Sequence, residues 1–148
     1  MLKRVVSFRD LDVYQATYQN SLTIMTQVIP KLPNRERFDL ADQLSRACKA
    51  IPRLIAEGYA KRHQRHGFQK YLDDAMAEAN EMVVSLSQCC DLYPSCIDVQ
   101  LCEHLIDAYD KAGRQLFLLA GAWDRFKQQR RTTSPNNETG NVADHRTT

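Results

Sequence analysis

Four stretches of this chain repeat apolar residues at steps of three and four, and that period constrains the fold more than any single motif. The first is Phe8, Leu11, Tyr14, Tyr18, Leu22, Met25 and Ile29, and the second is Phe38, Ala41, Leu44, Cys48, Ile51, Ile55 and Tyr59. The third is Phe68, Leu72, Ala75, Ala79, Met82, Leu86 and Cys89. The fourth runs Ile97, Leu101, Leu105, Ala108, Ala112, Leu116, Leu119, Trp123 and Phe126. Such spacing puts each set on one face of an α-helix, as a stripe to be buried against other elements. No stretch alternates apolar and polar residues as a half-buried strand would. The expected fold is all-α.

The punctuation agrees. Ser7 is placed to cap the first helix, Pro30 and Pro33 in "PKLPN" end it, and "LYPS" closes the third. Each helix is about 20 to 30 residues, or about 30 to 45 Å at the helical rise. Short connectors favour antiparallel neighbours, so residues 1–128 are expected to form one up-down-up-down four-helix bundle. A chain of 148 residues is long enough for one real core. Beyond it, residues 129–148 have almost no apolar side chains and are expected to form a disordered polar tail.

Two residues sit awkwardly in the second run. Pro52 removes the hydrogen bond to the Cys48 carbonyl, which costs about 3 kcal/mol in a helix interior. It either bends the helix round its neighbours or frees a carbonyl at a contact surface. Gly58 either permits close helix packing or begins the helix's end.

Net charge is only +2, yet the charges are sorted along the chain. Between Gln43 and Leu72 stand Arg46, Lys49, Arg53, Lys61, Arg62, Arg65 and Lys70 against the one acid Glu57. From Asp73 to Asp110 there is no Lys or Arg, and the acids include Asp73, Asp74, Glu78 and Glu81. The up-down order gathers Lys3, Arg4 and Arg9 with Lys61, Arg62, Arg65 and Lys70, and with Arg125, Lys127, Arg130 and Arg131, at one pole. Arg46, Lys49 and Arg53 add a stripe along the second helix. Cations at helix C-termini complement the macrodipole and need no ligand. A pole this dense also suits polyphosphate or an acidic protein, and the third helix's acids could pair with the stripe either within the chain or across a subunit interface. The candidate nucleic-acid-binding residues are Arg46, Lys49, Arg53, Lys61, Arg62, Arg65, Lys127, Arg130 and Arg131.

Little else suggests chemistry. His63 and His66 lie among arginines with few carboxylates near them, and read as surface residues. Cys89, Cys90, Cys96, Cys102 and His104 show no paired CxxC spacing and read as small hydrophobes rather than zinc ligands. Glu78 and Glu81 lack the ExxH partner of a di-iron bundle. Phosphate-loop, nucleophile-elbow and dinucleotide fingerprints are missing from the sequence. No catalytic residue, metal or cofactor is expected. An odd count of 5 cysteines favours reduced thiols over a disulfide framework. With no apolar run near the ~18 residues of a membrane span and no export signal at the N-terminus, the expected location is cytoplasmic.

The stretch "RFDLADQLSRACKAIPRLIAEGYAKR", followed by "FQKYLDDAMAEANEM", resembles a bacterial four-helix-bundle family encoded in intervening sequences of large-subunit ribosomal RNA genes. The matching positions are Phe38, Leu40, Asp42, Gln43, Ile51, Pro52, Ala56, Glu57, Gly58, Tyr59, Lys61, Arg62 and Phe68. Ala79, Asn80, Glu81 and Met82 match a later element. The family pattern usually has Ser-Ile-Pro-x-Asn, where this chain has Ala50, Ile51, Pro52, Arg53 and Leu54. It also has Ser after the basic pair and an acid before the Phe, where this chain has His63 and Gly67. The resemblance implies a homo-oligomer, a pentamer with a central channel. It also extends to the accessory variability determinants of diversity-generating retroelements, similar bundles that bind nucleic acid and a reverse transcriptase through basic surfaces. The expectation is therefore a non-enzymatic oligomeric bundle binding RNA or DNA, as accessory to a reverse transcriptase or a ribosomal RNA element. The alternative is a homo-oligomeric protein-interaction scaffold without nucleic-acid binding.

Overall fold

The computed structural model describes residues 4–133. It contains the four expected helices, α1 (Asp12–Thr23), α2 (Leu40–Ala60), α3 (Gly67–Leu92) and α4 (Val99–Thr133), and no strand among the described residues. α3 packs along both α2 and α4, and the shorter α1 closes the ring against α2 and α4. The neighbours run antiparallel. At one end Phe68, at the start of α3, meets Tyr59 of late α2 and Trp123 of late α4 edge-on. At the other end Tyr93, just past α3, bonds to Glu36 ahead of α2.

The interior is filled by Leu44, Ile51 and Ile55 of α2, Phe68, Leu72, Met82 and Leu86 of α3, and Leu105, Tyr109 and Leu116 of α4. Each of these fully buried side chains contributes about 1.5–3 kcal/mol by leaving water. α2 stays helical through the buried Pro52. A β-carbon at Gly58 would stand 2.7 Å from Tyr71 Cβ, so this glycine lets α2 and α3 approach closely.

Helix 1 departs from its sequence reading. Ser7 Oγ accepts the Arg9 N–H at 3.3 Å, and Asp10 Oδ2 accepts the N–H groups of Val6 and Ser7 at 2.9 and 3.0 Å. This box caps a separate 3-10 turn, Phe8–Asp10, and Leu11 returns to extended backbone before α1 starts. After Thr23 the chain widens into a π turn, Ile24–Val28, in which the Ile29 N–H reaches the Ile24 carbonyl. Pro30 then has no N–H to continue the α ladder, and a 3-10 turn, Ile29–Lys31, ends the segment.

The buried face of this segment is Val13, Thr17, Ser21, Ile24 and Val28, one position away from the apolar stripe read in the sequence. Thr17 and Ser21 can be buried because their hydroxyls donate to the Val13 and Tyr18 carbonyls at 2.7 and 2.6 Å. Tyr18 and Leu22, expected inside, are exposed. So is Phe38, because α2 begins only at Leu40, whose N–H is capped by Glu36 Oε2 at 3.1 Å. α4 reaches Thr133, five residues into the segment expected as tail, and the rest of that segment lies outside the described residues.

Candidate nucleic-acid interface

The basic pole is built where α2 turns into α3 beside the end of α4. The turn leaves α2 at Lys61, whose N–H is shared by the Glu57 and Gly58 carbonyls, and enters α3 through His66 in the left-handed conformation (φ 56°). Phe68 then dives into the core. Its ring supports Trp123 edge-on at 5.5 Å, and Trp123 supports Phe126 at 5.6 Å with the planes tilted by 39°. Lys127 Nζ donates to the Gln64 carbonyl at 3.0 Å and ties the turn to α4. Between turn and helix lies a groove of about 560 Å³. Trp123 and Phe126 form its aromatic lining, with Arg62, His63, Arg65, Lys127, Arg130 and Arg131 around them. Among the described residues, no carboxylate lines it.

Five of the nine residues picked from the sequence meet in this groove, namely Arg62, Arg65, Lys127, Arg130 and Arg131. Arg62 also serves the fold: its Nη1 donates to the Tyr59 carbonyl at 2.8 Å and its guanidinium lies 4.1 Å from the Tyr59 ring centre. Arg130 lies 5.2 Å from the Phe126 ring centre. Lys61 turns elsewhere, donating to Tyr71 Oη at 2.5 Å, and that bond raises its pKa above the ordinary lysine value. Arg46 pairs with Asp42 at 3.0 Å on the exposed side of α2. Lys49 and Arg53 border a different groove, about 350 Å³, lined by Tyr14, Tyr18, Leu22 and Pro52 of the α1–α2 face. Of the nine, five therefore share one groove, two border another, and Arg46 and Lys61 line neither. Trp123 and Phe126 read as core positions of the α4 stripe. Their signal was the interleaving of that last apolar pair with Arg125, Lys127, Arg130 and Arg131.

The family model of the 23S rRNA-intervening sequence protein matches residues 9–117. The chain belongs to that family. No curated protein and no solved structure matches the chain. The family segment carries Arg62, His63 and Arg65, whereas Trp123, Phe126, Lys127, Arg130 and Arg131 lie beyond it.

Elsewhere, this 23S rRNA-intervening sequence protein family member shows buried thiols and a second apolar face. Cys48, Cys89 and Cys102 are buried, and desolvation raises their pKa to about 11, about 12 and about 12. At neutral pH they stay protonated, which makes them poor nucleophiles and metal ligands. Among the described residues no three His, Cys, Asp or Glu side chains converge as a metal-holding group. Burial and the neighbouring Glu81 raise the Glu78 pKa. On the α3–α4 face, opposite α1 and α2 in the ring, Met76, Phe117 and Leu118 line a groove of about 400 Å³ with Asp110 and Arg114. Phe117 and Leu118 are 68% and 64% exposed, more than any residue of α4's own apolar stripe. No helix among the described residues is long and apolar enough to cross a membrane.

Proposed function

We propose that this protein is a non-enzymatic, oligomeric, cytoplasmic bundle that binds RNA or DNA through the phosphates, at the groove between the α2–α3 turn and the end of α4. The observation that carries this reading is the convergence of Arg62, Arg65, Lys127, Arg130 and Arg131, from two separate segments, on one groove. Helix dipoles favour cations at the ends of α2 and α4, but they do not require those cations to share one groove. Binding of this kind releases counterions, so log affinity falls linearly with log salt. Filter binding over a salt series tests it. Reversal of Arg62, Arg65 and Arg131 to Glu should weaken binding on every sequence, and an unchanged affinity would remove the claim. Reversal of Arg46, Lys49 and Arg53 should weaken it far less. The finer form of the reading gives the bundle a reverse transcriptase or a ribosomal RNA element as its companion, as the resemblance to accessory variability determinants suggests.

A second reading, a homo-oligomeric scaffold, is favoured by the two apolar grooves on opposite faces. Opposite patches support a head-to-tail contact, which closes into a ring such as a pentamer when the rotation permits. Lys49 and Arg53 edge one groove, and the Asp110–Arg114 ion pair, at 2.7 Å, edges the other. Arg53→Glu should then break the assembly while leaving helicity intact. An assembly of unchanged mass by light scattering would count against it.

A further inference from the structure

Phosphate binding accounts for the cationic rim of the groove at the basic pole and leaves its aromatic lining unexplained. A single exposed phenyl ring is unremarkable on a protein surface. What distinguishes Phe126, 46% exposed, is its company. Trp123, Phe126 and Arg130 follow at steps of three and four along α4, so their planar groups lie on one side of the helix. Trp123 stands 5.6 Å from Phe126, and the Arg130 guanidinium stands 5.2 Å from the same ring. Phe68 props Trp123 from the core, and the Lys127 bond to Gln64 fixes the opposite wall. The platform is thus held before any ligand arrives.

We infer that this groove receives an unpaired base of single-stranded nucleic acid, stacked on the Trp123–Phe126 platform, while Arg65 and Arg131 hold the flanking phosphates. The inference rests on the nucleic-acid reading above and names the class of strand. In a duplex each base face is covered by its neighbours, so a duplex could meet the rim but not the platform. A single strand offers π-faces of any base to aromatic rings and cations, and its phosphates to the rim. This predicts little sequence preference and a clear preference for strands that carry bases.

The test uses the full chain and three labelled probes of about 12 nucleotides, within the usual footprint of single-strand binders. They are an oligothymidylate, an abasic strand with the same phosphates, and a duplex. The chain's one tryptophan is Trp123, so its emission reports the platform directly. The oligothymidylate should bind tighter than the abasic strand and quench Trp123. Phe126→Ala, at a position 46% exposed, should lower oligothymidylate affinity by about tenfold or more. It should leave the abasic strand and the duplex unchanged, and Phe126→Tyr should keep the wild-type preference. Equal affinity for the oligothymidylate and the abasic strand overturns this inference. So does a Phe126→Ala loss that is absent or equal across all three probes. In both cases binding through phosphates would stand, whereas no binding to any probe would overturn both proposals.

Discussion

Tyr93 donates a 2.5 Å hydrogen bond to Glu36 across the end of the bundle, joining the close of α3 to the residue that caps α2. The Tyr93 bond, followed by the Leu40 N–H, holds the Glu36 carboxyl below its ordinary pKa. A carboxyl whose pKa is lowered by folding contributes stability that is present above its unfolded value, and loses it as pH falls through the folded value. Glu36→Gln should therefore lower the urea midpoint at pH ~7, and the difference from wild type should shrink to nothing well below pH ~4. Tyr93→Phe should show the same pH trend. A deficit that stays constant with pH would mean that the carboxylate charge is irrelevant.

Tyr109 is fully buried, and its hydroxyl has no hydrogen-bond partner among the described residues. Burial pushes its pKa far up, with a further contribution from Cys48. An orphaned buried hydroxyl costs about 1–3 kcal/mol, while the ring around it packs the core. Tyr109→Phe keeps the ring and removes the orphan, so thermal unfolding should move up by several degrees. A lower melting temperature would show that the hydroxyl has a partner, such as a buried water.

Gly58→Ala probes how closely α2 and α3 approach. The added methyl group would stand 2.7 Å from Tyr71 Cβ and 3.1 Å from Phe68 Cδ2. A β-carbon cannot rotate aside, so the helices must separate where the α2–α3 turn begins. A loss of about 1–3 kcal/mol is expected, despite alanine's better helix propensity. Chemical denaturation measures it, and a stabilised variant would refute the close-packing argument.

The helices were legible because their buried stripes are apolar and long, as in α2, α3 and α4. α1 was misread by one position because its buried face includes Thr17 and Ser21, whose hydroxyls are satisfied inside the helix. Apolar spacing cannot see a polar residue that carries its own partner. Phe38 was misread because the start of α2 depends on the Glu36 cap, a contact the stripe does not encode. The pole was legible from topology, since helix order alone puts the α2–α3 turn beside the end of α4. Which cations converge there was not. Arg46 has Asp42 within reach and Lys61 has Tyr71, and side-chain choices of that kind are made in three dimensions.

Those choices can be read out one cation at a time. Each phosphate contact to a single strand adds about 0.7 to the slope of log affinity against log salt. Arg65 and Arg131 are exposed and line the groove, so Arg65→Gln and Arg131→Gln should each reduce the slope by about that amount. Arg46 lies on α2 away from the groove lining and is paired with Asp42 at 3.0 Å, so Arg46→Gln should leave the slope unchanged. Lys61 is held by Tyr71 and does not line the groove, so Lys61→Gln should behave like Arg46→Gln. The contrast separates a localised groove from a diffuse basic surface, because both predict salt dependence and only the first predicts unequal cations. Four equal slope changes would place the phosphates over the whole basic side of the bundle.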